Sequence, residues 1–176
     1  MKEGYLERSF KIHVSRNKTI EINSRRFISM AETDLGLIKY SVKSVDFAGR
    51  LDFGVYLNAD VRNEDTNYGK KFWKEVRREV KAGSGYLITK TLKTDFHVAT
   101  GMNFIFEKDN ETIPVTPDIV SREKFISNTF TVSIKPGEEC TLYKYVSVLS
   151  SLNNPKELLA DDLKQRLEEA VSFSYC

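Results

Sequence analysis

The chain has 176 residues, 40% of them hydrophobic, which suffices for one domain with a buried core. Its 27 basic and 25 acidic residues leave a formal charge of +2, which excludes nucleic acid or an anionic membrane as the partner that electrostatics would select. No stretch reaches the roughly 18 apolar residues of a membrane span, and the opening MKEGYLERSF lacks the apolar region of a secretory signal.

Residues 5–14 place Phe10, Ile12 and Val14 on one face of a strand. Residues 15–17 make a polar break, and residues 19–22 resume the alternation with Ile20 and Ile22. Residues 27–30 are denser in apolar side chains, as in a strand covered on both faces. Residues 35–45, LGLIKYSVKSV, are rich in branched and aromatic residues and read as a further strand, ended by Phe47, Ala48 and Gly49. Residues 50–61 alternate again, with Leu51, Phe53, Val55 and Leu57 on one face. Gly54 within that run predicts a bulge or a close backbone approach.

Residues 62–70 form a polar loop. Residues 71–81 are ambiguous: Phe72, Val76 and Val80 recur at helical spacing, while a regular strand would put Lys74 and Arg78 on the apolar face. Pattern alone favours a helix there. Ala82, Gly83, Ser84 and Gly85 make a turn. Strands follow over residues 86–92 and 95–107, and Lys108, Asp109 and Asn110 suit a hairpin turn. Pro114 and Pro117 confine residues 113–119 to an edge or loop. Residues 125–134 and 140–149 are the last strands, separated by a Pro136-Gly137 turn.

The ending differs in kind. Asn154 as cap and Pro155 at the first helical position start an amphipathic helix of roughly four turns. Leu158, Leu159, Leu163, Leu167, Ala170 and Val171 form its apolar stripe, and Glu157, Asp161 and Asp162 lie early, where the helix dipole favours them. The stripe requires a partner, either the sheet or another part of a longer chain. Roughly nine short strands and one helix sum to an all-β antiparallel sandwich.

Few side chains suggest chemistry. His13 and His97 are the two histidines, each in a strand pattern without a cluster of ligand spacing, so both read as ordinary strand residues. Glu138-Glu139 and Asp161-Asp162 are chain neighbours that face different ways and cannot flank one glycosidic bond. Gly83-Ser84-Gly85 lacks the context of a phosphate-binding loop. The basic run from Lys70 to Lys81 is interrupted by Glu75 and Glu79 and reads as a solvated face. Cys140 and Cys176 fit no zinc or disulfide framework. Cys140, in an alternating run, is a buried small hydrophobe, and a reducing, cytoplasmic setting fits best. Trp73 with Tyr68 is the candidate sugar-stacking pair, since aromatic rings match the apolar faces of sugars.

The segment order carries a resemblance. RFISMAETDLGLIKYSVKSVDFAGRLDF, then NEDTNYGKKFW, then TKTLKTDFHVATGM, resembles the N-terminal β-sandwich domain of glycoside hydrolase family 65, which includes maltose, trehalose and kojibiose phosphorylases. The matching positions are Arg26, Phe27, Ser29, Met30, Ile38, Tyr40, Phe47, Gly49, Thr91 and Thr94. The resemblance implies a supersandwich of the galactose-mutarotase-like type, truncated here, and favours a strand over residues 71–81. It implies a β-sandwich over residues 1–152 and a linker helix over residues 153–176, leading to an (α/α)6 barrel that lies beyond Cys176. The family's first strands would precede Met1, so the chain reads as a piece of a longer protein.

On this reading the chain is a non-catalytic domain that supports the barrel and subunit pairing in a homodimer, and it needs no cofactor or metal. The parent would be a phosphorylase or a hydrolase acting on an α-glucosyl disaccharide, with inorganic phosphate as co-substrate in the phosphorylase case, and loop residues 63–68 would be candidates for substrate contact. The alternative is a stand-alone carbohydrate-binding sandwich module using Tyr68 and Trp73.

Overall fold

In a computed structural model of the chain, which describes residues 4–62 and 71–172, the alternating runs become eleven strands followed by one helix. They are β1 Leu6–Ser15, β2 Lys18–Ile28, β3 Leu35–Ser44, β4 Gly49–Asn58, β5 Trp73–Lys81, β6 Ser84–Thr91, β7 His97–Lys108, β8 Glu111–Thr112, β9 Asp118–Arg122, β10 Phe125–Ile134 and β11 Glu139–Ser150. The helix is α1, Leu159–Ser172. Every strand pair is antiparallel. Eight strands form a large sheet in the order β1-β2-β3-β11-β7-β6-β5, with β8 on β7, and β4-β10-β9 form a small second sheet.

Period-two alternation sends side chains of the large sheet to two different partners. On one face Met102 and Phe106 of β7, Leu142 of β11 and Leu87 of β6 meet Phe53 and Val55 of β4 and Ile126 and Phe130 of β10. At the centre of this layer Phe53 stacks on Phe130 at 5.6 Å between ring centroids, and Phe106 meets both edge-on at 5.0 Å. On the other face Ala99, Ile88, Tyr145 and Leu149 meet Leu159, Leu163 and Leu167 of α1. The sheet therefore buries Leu159, Leu163, Leu167 and Ala170 of the expected stripe, while Leu158, before the helix, stays exposed. Gly101 permits this approach, because a Cβ there would stand 2.6 Å from Leu167 Cδ1 and 2.9 Å from Leu163 Cδ2.

Several expectations need correction. Residues 71–81 hold a strand from Trp73, as the resemblance favours and the bare pattern does not. A bulge between Glu75 and Arg77 explains the misleading spacing: it inserts Val76 as an extra residue and inverts the alternation. Trp73 and Glu75 face inward before it, paired to Thr91 and Thr89, while Arg78 and Val80 lie opposite Leu87 and Gly85 after it. Lys74 stays outside, and the inward Arg78 is neutralised by Glu75 and bonded to Ser121 Oγ at 3.1 Å. Residues 27–30 are not a doubly covered strand. They end β2, and Met30 is 91% exposed. Gly54 makes no bulge, since the β4–β10 register runs evenly past Thr129.

The helix starts later than its capping signal. Asn154 donates its side-chain amide back to the Ser150 carbonyl at 3.1 Å, and Leu158 N bonds Pro155 O at 3.1 Å in a turn that precedes α1. The Asn-Pro signal thus marks a turn into the helix. The Asp109-Asn110 hairpin turn is present, with φ of 51° and 66°, the left-handed pair of a type I′ turn.

Candidate functional site

Trp73, the single tryptophan, opens β5 and is partly buried. Inward positions on neighbouring strands surround it. Thr89 and Leu87 alternate along β6, and Val98 and Thr100 lie opposite them on β7. Where β4 runs out, Leu57, Asn58, Ala59 and Val61 supply the facing wall. Together they line a cavity of about 230 Å³ at one mouth of the space between the sheets. The Ala59 amide bonds the Lys124 carbonyl at 2.8 Å and holds this wall in place. No charged side chain lines the cavity among the described residues. Tyr68 and the 63–68 loop lie outside the described residues.

A second cleft, of about 290 Å³, separates the β5–β6 hairpin from the end of α1. Three of its polar groups, Tyr86, Glu79 and Lys164, are paired with one another. The buried Tyr86 hydroxyl donates to Glu79 Oε2 at 3.1 Å, and Lys164 Nζ lies 3.3 Å from the same carboxylate. Lys164 and Arg77 stand over the Tyr86 ring at 5.2 and 5.7 Å. Burial, then the bond to Glu79, pushes the Tyr86 phenol up to about 12. Burial alone would raise Glu79, but the bonds from Tyr86 and Lys164 outweigh it and hold the carboxyl below its ordinary value. A phenol kept protonated and a carboxyl kept ionised stabilise a hairpin against a helix.

The remaining candidates also have structural partners. His13 Nδ1 lies 3.1 Å from Thr19 Oγ1, and His97 Nε2 lies 3.2 Å from Asp95 Oδ1. Asp95 also binds Lys156 at 2.6 Å and Lys90 at 2.8 Å, so it ties the β6–β7 turn to the segment before α1. Those bonds, led by Lys156, hold its carboxyl far below the usual range. Glu138 takes Lys108 at 2.7 Å and the Lys135 amide at 2.7 Å, while Glu139 points toward Thr141 Oγ1 at 3.4 Å. The two neighbouring carboxylates diverge, as their positions require. Cys140 is fully buried, and burial pushes its thiol up to about 11. No group of three histidine, cysteine, aspartate or glutamate side chains could hold a metal among the described residues. No helix among them is long and apolar enough to cross a membrane.

Sequence reasoning singles out Trp73 but misses Thr89 and Thr100, whose signal is their place at inward positions between apolar neighbours. It also misses Lys144. This side chain enters the space between the sheets and donates to the Tyr56 carbonyl of β4 at 2.7 Å, and burial pulls its ammonium down to about 8.

The glycosyl hydrolase family 65 N-terminal domain matches the chain over residues 1–176. Maltose phosphorylase of Bacillus subtilis (strain 168) is 31% identical over 97% of the chain, and alpha,alpha-trehalose phosphorylase of Thermoanaerobacter brockii is 24% identical over 99% of it. The chain spans 23% of the length of each. A solved structure from the human microbiome, assigned as a kojibiose phosphorylase, superposes on 99% of the chain and 22% of its own with a TM-score of 0.83 and 19% identity, a likeness of fold.

Proposed function

Because this chain belongs to the glycosyl hydrolase family 65 N-terminal domains, we propose that it is the non-catalytic sandwich of a glycoside phosphorylase acting on an α-glucosyl disaccharide of the maltose, trehalose or kojibiose type. The observation that carries this reading is the match to two phosphorylases at 31% and 24% identity, of which the chain makes up 23% each. The placement of its titratable groups supports it, since Glu79, Asp95 and Glu138 are each engaged by neighbouring cations. The sandwich spans residues 1–152, and residues 153–176 lead from it toward a helical catalytic barrel. The sheet supports that barrel and the pairing of subunits in a cytoplasmic homodimer.

In the parent reaction a carboxylic acid of the barrel protonates the departing glycosidic oxygen, while inorganic phosphate attacks the anomeric carbon from the opposite face, with inversion. This chain contributes no proton and no nucleophile to that step. Incubation with maltose, trehalose or kojibiose and inorganic phosphate tests the assignment. The longer protein that carries this chain forms glucose 1-phosphate from one of them, and the 176-residue chain forms none. Sugar phosphate made by the chain alone contradicts the proposal.

A further inference from the structure

We propose that the sandwich mouth at Trp73 binds one ring of an uncharged sugar. The mouth differs from the cleft beside α1 in having no charged side chain in its lining to claim its hydroxyls. In the cleft beside α1, Tyr86, Glu79 and Lys164 satisfy one another. In the mouth, the Thr89 and Thr100 hydroxyls and the Trp73 indole N–H take no hydrogen-bond partner among the described residues. Valine would pack as well at those two strand positions without a polar atom left over, so the hydroxyls are free to meet a ligand.

The rest of the lining narrows the ligand class. With no charged side chain in the wall, a phosphate, carboxylate or ammonium entering the mouth loses water and gains no counter-charge. A purely apolar ligand leaves both threonines unpaired. A pyranose ring fits both requirements, because its C–H face suits the indole and Leu57 and its hydroxyl rim suits Thr89 and Thr100. The volume of about 230 Å³ leaves room for a six-membered ring. The inference stands on the cavity itself, and it survives if the parent reaction proves to be other than phosphorolysis.

Because the chain has one tryptophan, its emission reads this site directly. Titration of the folded 176-residue chain with glucose or maltose gives a saturable blue shift with a millimolar midpoint, whereas mannitol, an acyclic polyol without a ring face, and glucose 6-phosphate give none. Thr100→Val and Thr89→Val each weaken the midpoint about tenfold, the loss of one good hydrogen bond, without lowering the melting temperature. Saturation-transfer NMR on the unsubstituted chain shows the sugar ring protons in contact with protein, independently of any variant. A flat titration with both sugars, an equal response to mannitol, or unchanged affinity in both threonine variants overturns the proposal.

Discussion

β1 and β6 belong to the same sheet and share the same kind of alternation, yet they end in opposite environments. Phe10, Ile12 and Val14 stand on one face of β1, but every residue of that strand is exposed. In β6, Tyr86, Leu87 and Ile88 are all buried, because the small sheet lies over one face and α1 over the other. The difference lies in the layers above. Period two makes a strand, whereas burial requires a second layer that reaches it, and the three strands of the small sheet do not extend over β1. β1 also presents an open edge to solvent, with Lys11–Glu21 at 2.8 Å and Arg25–Glu7 at 3.0 Å as surface ion pairs along it.

The contrast is broken most severely at the covered centre. Phe106→Ala empties a site that is 2% exposed and removes both edge-on ring contacts, for a loss of about 3–5 kcal/mol in chemical denaturation. Phe10→Ala on β1 is the matched control and costs under about 1 kcal/mol, because its ring already meets water. Equal losses at the two positions would show that β1 is covered in solution.

Lys144 sharpens the same comparison through pH. The lysine sits between the layers, and burial lowers its ammonium to about 8 from an ordinary 10.5. Between those two values the unfolded chain binds more protons than the folded one, so this group makes stability rise with pH across that window. Below about 8 the folded chain carries the charge at a cost. The unsubstituted chain therefore gains about 1 kcal/mol from pH 8 to 10.5 that Lys144→Met does not gain, the figure being reduced for the water its ammonium still meets. Urea denaturation of the two proteins across that range, taken as a difference, isolates the effect. Identical pH profiles would place Lys144 in solvent.

Alternation made most of this architecture legible. Residues 125–134 and 140–149 are strands within a residue of their expected limits, and the stripe of Leu159, Leu163 and Leu167 is buried on a sheet. What stayed hidden involved a second segment distant in the chain. The β5 bulge is specified by pairing with β6, so Val76 and Val80 mimicked a helix when read alone. Arg78 could face inward only because Glu75 and Ser121 meet it there. Asn154 and Pro155 carried a genuine helix-start pattern, but residues 155–158 close a turn first, with Leu158 N bonded to Pro155 O. At the candidate site Trp73 was legible by type. The threonines that give its cavity a polar side were not, since their meaning depends on the register of β6 against β7.

Native-state hydrogen exchange followed by NMR, residue by residue, tests the covered centre against the bare edge most directly. Amides of β7 and β11 exchange only with global unfolding, while those of β1 exchange orders of magnitude faster through local opening. Protection of β1 equal to that of β7 and β11 would contradict it.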